Sequence, residues 1–244
     1  MTIPHVTAQP VPILSDNYAW LLREASSGAV AIVDPADAAA VSAAIDAAGG
    51  RLDMIFLTHH HTDHTAGTDE VRARYGATVV GASADAHRLP HLDVGVRGGD
   101  QVAFGAATAQ VIETPGHTLG HIAYVFPAGN VLLCGDTLFS LGCGKLLEGT
   151  ALDMYASLRA LAALPPETLV CCGHEYTQNN ARFALSVAPD NAALLSQADA
   201  IARKRAANLP TVPSLMADEL AANPFLRAAS AAELGAIRAA KDRF

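Results

Sequence analysis

The segment Thr58–Gly67, Thr-His-His-His-Thr-Asp-His-Thr-Ala-Gly, constrains this chain more than any other stretch. It contains H-x-H-x-D-H and follows the short apolar run Met54–Leu57, which has the character of a buried strand. In extended backbone, residues i and i+2 face the same side. His59 and His61 therefore aim together while His60 points away. Asp63 and His64 fall where a helix begins, and that turn redirects them to a second position. Imidazole and carboxylate suit Zn²⁺, Fe or Mn. Seven of the ten histidines lie in three short segments, within residues 59–64, 117–121 and at 174. Thr114-Pro115-Gly116-His117-Thr118 places one in a turn after a strand-like run, and Cys172-Gly173-His174-Glu175 places another after a later run. Gly135-Asp136-Thr137 follows the apolar run Val131–Cys134 and offers a carboxylate at a strand end. The set of His59, His61, Asp63, His64, His117, Asp136 and His174 provides seven protein donors for two ions.

A fold that gathers these segments needs a large core, and the composition supplies one. The chain has 244 residues, 51% hydrophobic and 16% charged, which excludes a disordered polymer. A net charge of −8 weighs against a nucleic-acid binder. The charge is uneven. Residues 1–169 hold 8 basic and 17 acidic side chains, whereas residues 170–244 hold 8 and 7. The tail is thus the place to hold an anionic group of a ligand. No run of 18 apolar residues marks a membrane span, and Met1–Trp20 lacks the charged and apolar regions of a signal peptide. The four cysteines, with Cys171 and Cys172 adjacent, do not make a disulfide framework. A soluble cytoplasmic monomer, binding neither membrane nor nucleic acid, is the expectation.

Strands are expected at Val11–Leu14, Tyr18–Arg23, Ala29–Val33, Met54–Leu57, Thr78–Val80 and Leu169–Cys172. An antiparallel set is expected at Gln101–Phe104, Gln110–Thr114, Ile122–Phe126 and Val131–Cys134. Helices are expected at Ala36–Ala48, Gly67–Tyr75 and Ala151–Leu161. After residue 174 no strand-like run remains. Glu175–Val187, Asn191–Asn208, Ser214–Ala221 and Ala231–Lys241 read as helices separated by prolines. The expected organisation is a mixed α/β catalytic domain over residues 1–174 and a helical substrate-binding domain over residues 175–244.

The order of these donors resembles the metallo-β-lactamase superfamily, whose fold is an αββα sandwich with the metal site at one sheet edge. More narrowly, Gly142-Cys143-Gly144-Lys145, Glu148-Gly149-Thr150, Gly173-His174-Glu175-Tyr176-Thr177, Asn223-Pro224-Phe225-Leu226-Arg227 and the terminal Arg238-x-x-Lys241-Asp242-x-Phe244 resemble the glyoxalase II (hydroxyacylglutathione hydrolase) family. The resemblance implies two divalent ions, zinc first, with iron or manganese as alternatives. His59, His61 and His117 would hold one ion, Asp63, His64 and His174 the other, and Asp136 would bridge. Asp63 and Asp136 are the catalytic candidates, with Asp63 also placed to orient the attacking water.

The substrate implied is a glutathione thioester, S-D-lactoylglutathione, held by Lys145, Tyr176, Arg238 and Lys241. Spacing alone puts Arg238 and Lys241 on one helix face. Leu147 stands where some family members carry tyrosine, which removes one hydroxyl contact. A thiolate with a pKa near ~8.5 departs without strong acid help, which fits a sequence with no dedicated acid.

A persulfide dioxygenase would not need all seven donors, a lactam- or lactone-hydrolysing relative would not explain the basic tail, and an RNA phosphodiesterase conflicts with the acidic body. His121 is equally a supporting residue or a core histidine, and Asp34 a supporting or a turn residue. Cys143 is read as structural, and His5, His87 and His91 as surface residues.

Overall fold

The computed structural model describes residues 5–244. The first sheet has the order β1-β2-β3-β4-β5-β6: Val6–Ile13, Asn17–Glu24, Val30–Val33, Met54–Phe56, Thr78–Ala82 and Val94–Val96. β1, β2 and β3 pair antiparallel, and β3 to β6 pair parallel. The helices α1 (Ala38–Ala47), α2 (Thr62–Thr65) and α3 (Thr68–Tyr75) fill the connections. The second sheet includes β7 (Gln101–Phe104), β8 (Ala107–Glu113), β9 (Ile122–Phe126) and β10 (Val131–Gly135), an antiparallel meander. A small hairpin, β11 (Leu138–Phe139) with β12 (Gly142–Cys143), follows it. Then come α4 (Ala151–Ala162) and β13 (Leu169–Cys172), which pairs parallel to β10. The tail runs α5 (Thr177–Val187), α6 (Ala192–Ala206), β14 (Ser214–Leu215), α7 (Met216–Ala222), α8 (Pro224–Arg227) and α9 (Ala231–Lys241).

Two mixed sheets with helices make the αββα sandwich, with the helical tail added at its C-terminal end. Burial of apolar area between the sheets drives their association. Phe56 of β4 meets Tyr124 and Phe126 of β9 at ring-centroid distances of 4.8 and 5.8 Å, and Phe104 of β7 at 6.3 Å. The edge-to-face geometry of these rings is the favoured one. The polar tip of Tyr124 is not stranded, because its hydroxyl donates to the carbonyl of Leu57 at 3.0 Å. Trp20 likewise donates from β2 to the carbonyl of Cys172 on β13 at 2.9 Å.

The structure corrects several sequence expectations. β1 starts at Val6, five residues before the expected Val11. Pro10 and Pro12 mask it, yet β1 is an edge strand, where proline is tolerated. β6 was not expected, since three residues centred on Gly95 carry no readable alternation. The tail does contain a strand, which overturns the expectation of none after residue 174. Ser214 and Leu215, expected to open a helix, pair with Val170 and Leu169 and cover the edge of β13. Two residues are too few to show a period. α5 starts at Thr177 rather than Glu175, because the Glu175 amide is held by the carbonyl of Asp16. Among the described residues, no helix is long and apolar enough to cross a membrane.

Candidate metal centre

Strand ends deliver every donor to one edge of the sandwich. The His-rich loop leaves β4, His117 lies in the loop after β8, Asp136 follows β10, and His174 follows β13. β4, β10 and β13 all end at this edge, so the loops beyond them converge there, and His174 is tethered by an antiparallel bridge to Asn17.

His59, His61 and His117 form one cluster of facing donor atoms, and Asp63, His64 and His174 form a second. In the first, Nδ1 of His61 lies 3.0 Å from Nε2 of His59 and 3.0 Å from Nε2 of His117. In the second, Nε2 of His64 lies 3.3 Å from Nε2 of His174. Asp136 stands between them. Its Oδ1 is 3.3 Å from His64 Nε2, and its Oδ2 is 3.3 Å from His174 Nε2 and 3.5 Å from His117 Nε2. His60 turns away, towards Asp85.

In His59, His64, His117 and His174 the other ring nitrogen is already engaged, which fixes the orientation of those rings. His59 Nδ1 meets the Thr58 hydroxyl at 3.0 Å, and His64 Nδ1 donates to Asp34 at 3.0 Å. His117 Nδ1 donates to the carbonyl of Lys145 at 2.8 Å, and His174 Nδ1 to Asp16 at 3.0 Å. Asp34, His59 and His64 also bring one donor atom each close together. Both carboxylate oxygens of Asp34, however, already accept from Thr58 or His64. Asp34 is therefore a support.

This donor set fits a cation. Imidazole nitrogens 3.0–3.3 Å apart present lone pairs to one another, an arrangement that a shared positive ion relieves. Oδ1 of Asp136 is buried and accepts no well-formed hydrogen bond. Room is tight behind it: a Cβ on Gly173 would lie 2.5 Å from that oxygen and 2.6 Å from His64 Cε1. The electrostatics differ between the clusters, the first kept neutral by burial and the second drawn towards positive charge by its carboxylates. Burial, reinforced by His64, holds the His59 pKa well below the usual histidine value. Burial and the neighbouring His117 lower that of His61. For His64, burial opposes the charge, but Asp136 and Asp34 outweigh it and raise the pKa well above normal. For Asp136, burial acts upwards, yet His64 and His174 win and hold the carboxyl well below its usual range.

Sequence reasoning missed Asp16 and Asn17. The Asn17 amide donates to the backbone carbonyl and to Oδ2 of Asp63, each at 3.1 Å. An Asp-Asn pair between two strands looks like ordinary turn chemistry. Nothing local links it to residues so far along the chain. His121, left open, is fully buried and neutral in character, its pKa pushed well down by burial. Its Nε2 accepts from the Asp136 amide at 3.1 Å, so it sets the backbone of that residue. Cys143 is buried, and burial lifts its thiol to about 12, which suits a structural role.

Lys145, Tyr176, Arg238 and Lys241 line one cavity of about 260 Å³, together with Phe139 and Cys143. The Tyr176 ring stacks on His174 at 4.5 Å and 7°, and Phe139 packs edge-on against both. Arg238 is less free than an exposed helix face suggests. It donates to the carbonyl of Cys143 at 2.9 Å and pairs with Asp242 at 2.9 Å. Lys241 donates to the carbonyl of Asn179 at 3.2 Å. Burial, with help from Arg238, brings its pKa down to about 8. Leu147 is exposed and does not line the cavity.

Residues 14–174 match the metallo-beta-lactamase superfamily model, and residues 175–244 match the model for the hydroxyacylglutathione hydrolase C-terminus. The chain is 57% identical to a hydroxyacylglutathione hydrolase of Acidiphilium cryptum, covering 100% of both chains. It is 55% identical to one from Ruegeria pomeroyi, over 90% of this chain and 86% of that one. Among solved structures, ETHE1 from Myxococcus xanthus superposes with a TM-score of 0.72 at 27% identity, covering 96% of this chain and 90% of that one. With a matching body, a matching tail and relatives aligned from end to end, the chain belongs to the hydroxyacylglutathione hydrolase family of the metallo-beta-lactamase superfamily.

Proposed function

We propose that this protein is a metal-dependent thioesterase that hydrolyses S-2-hydroxyacylglutathione, foremost S-D-lactoylglutathione, to the 2-hydroxy acid and glutathione. That is the second step of methylglyoxal detoxification. The observation that carries the reading is the junction of two sites. A cavity lined by Lys145, Arg238 and Lys241 adjoins the His/Asp cluster through the stacked rings of Tyr176 and His174. Glutathione carries two carboxylates, and the cavity offers cations to meet them.

In this reading His59, His61 and His117 hold one divalent ion, Asp63, His64 and His174 hold another, and Asp136 reaches both. Zinc is the first choice for such a set, with iron and manganese also accommodated. When bound, the ions supply an activated water at neutral pH and electrostatic stabilisation of a developing oxyanion. The residues of the chain do the rest. Asp63, anchored by Asn17, orients the water. Lys145 and Lys241 place the glutathione carboxylates, Arg238 adds charge tempered by Asp242, and Tyr176 borders the thioester. No residue needs to protonate the leaving thiolate, whose conjugate acid has a pKa near ~8.5. Residues 1–174 thus carry the chemistry, and residues 175–244 supply most of the substrate contacts. Four buried, unpaired cysteines suit a reducing cytoplasm.

The test combines metal analysis and thioester hydrolysis on one sample. Two metal equivalents with release of glutathione thiol are expected. Full metal loading with no thiol released would sink the reading.

A further inference from the structure

The donor set accounts for His59, His61 and His117 but leaves their charged surroundings unexplained. Beside them lies a second cluster, made of His60, Asp85, Arg88 and Glu148. His60 Nδ1 meets Asp85 at 3.1 Å, and its Nε2 lies 3.6 Å from Glu148. The Arg88 guanidinium forks between Asp85, at 2.6 Å, and both oxygens of Glu148. Glu148 also accepts from the amide of Leu119 at 2.8 Å, two residues beyond His117. Asp85 is buried and packs against that same loop so closely that a Cβ on Gly120 would lie 2.2 Å from its carboxyl carbon. Four segments distant in sequence are fastened here: the His-rich loop, the turn after β5, the His117 loop and the segment Lys145–Glu148.

The last of these segments does two jobs within four residues. The Lys145 carbonyl orients the His117 ring, and the Lys145 side chain lines the anion-holding cavity. Gly149 continues the docking, its amide donating to the carbonyl of Gly116 at 3.1 Å. Whatever holds Glu148 therefore sets a donor ring and a substrate cation at once.

We propose that Glu148 is a positioning residue that, through Arg88, His60 and the Leu119 amide, couples the first donor cluster to the glutathione-binding cavity. The inference rests on the functional reading above. Arg88 holds the Glu148 carboxyl down at about 2, so the clamp is charged at every pH where the enzyme would work. Its side chains are partly screened, so a stability effect alone would be small. Its leverage lies in geometry, since partners one shell out from a metal set ligand orientation.

The experiment uses the full-length protein loaded with Zn²⁺ and compares Glu148→Gln, Arg88→Gln and the double variant with the wild type. Arg74→Ala, which breaks the unrelated Arg74–Asp46 pair, serves as a control. Chelator competition reads zinc affinity, and steady-state kinetics separate KM from kcat. Glu148→Gln is expected to weaken one of the two zinc equivalents roughly tenfold and to raise KM for the glutathione thioester. The second equivalent stays put. The double variant should be no worse than the poorer single one, as for residues acting as one unit. Should Glu148→Gln fold poorly, Arg88→Gln reads the same clamp from its other side. A loss of thermal stability with both zinc affinities and KM at wild-type values would overturn the proposal, as would weakened zinc with unchanged KM. An inactive wild type with full metal would instead defeat the functional reading, which keeps the two failures apart.

Discussion

Asp136 sits where the electrostatics of the site are strongest. It is buried, one of its oxygens lacks a well-formed hydrogen bond, and it lies within 3.5 Å of donor nitrogens from both clusters. Removing it takes away the carboxylate that faces both clusters and leaves Asp63 beside the second alone. Asp136→Ala is expected to lower bound metal from two equivalents towards one or none. It should also reduce kcat by at least ~100-fold, the scale of losing an electrostatic group at a reacting centre. Elemental analysis with an activity assay checks this, and full occupancy would contradict it. Lys241 yields a pH prediction. Its pKa is lowered to about 8 by burial and by Arg238. Below that pH the ammonium is charged and attracts a carboxylate; above it the charge is lost. The profile of kcat/KM, which reports groups of the free enzyme, should therefore fall on the alkaline side near pH 8. In Lys241→Arg, whose guanidinium stays charged, that limb should move to higher pH. An unchanged limb in Lys241→Arg would remove Lys241 from substrate binding.

The elements of the tail are tied to the body by specific polar anchors. Asn223 is fully buried between α7 and α8. Its side-chain amide donates to the carbonyls of Phe139 and Gly142 on the β11–β12 hairpin at 3.1 and 3.0 Å. Its carbonyl oxygen caps α8 by accepting from the Phe225 amide at 3.0 Å. Asn223→Ala would strand two buried carbonyls and remove a cap. Each buried orphan costs about 1–3 kcal/mol. A loss of roughly 2–4 kcal/mol is expected in urea unfolding, with a raised KM, because the same hairpin leads into Cys143 and Lys145. A change under about 0.5 kcal/mol would show that the hairpin holds itself. In the sequence Pro224 reads as a break between helices; in the structure it opens α8 behind the N-cap Asn223, a start that proline after an N-cap favours. That the Asn223 amide reaches a hairpin some eighty residues earlier was not legible, because no local pattern encodes a contact across the fold.

At the scale of the molecule, body and tail share one core. Phe183, Met216, Phe225, Leu226 and Leu234 of the tail are buried in the same hydrophobic cluster as the residues between the sheets. β14 also covers the open edge of β13. A chain ending at residue 174 would expose that apolar surface and an unpaired strand edge. It is expected to lose cooperative unfolding and near-ultraviolet circular dichroism while binding a hydrophobic dye. A truncated body that unfolds cooperatively would overturn this. A mixed α/β body, the spacing of the His-rich loop and the helical character of α9 were legible, because apolar period, turn residues and donor spacing are local properties of the chain; the αββα layering came only with the resemblance of the donor order to a known superfamily. Also legible was the separation of His60 from His59 and His61, which follows from the two-residue period of extended backbone. Other features depended on the tertiary structure: Asp136 standing between two clusters, Asp16 and Asn17 supporting His174 and Asp63, and Arg238 being half-committed to Asp242 and Cys143. Each depends on distances between segments far apart in the chain. Those distances are set by how two sheets pack and where their strands end, which no short stretch of sequence contains.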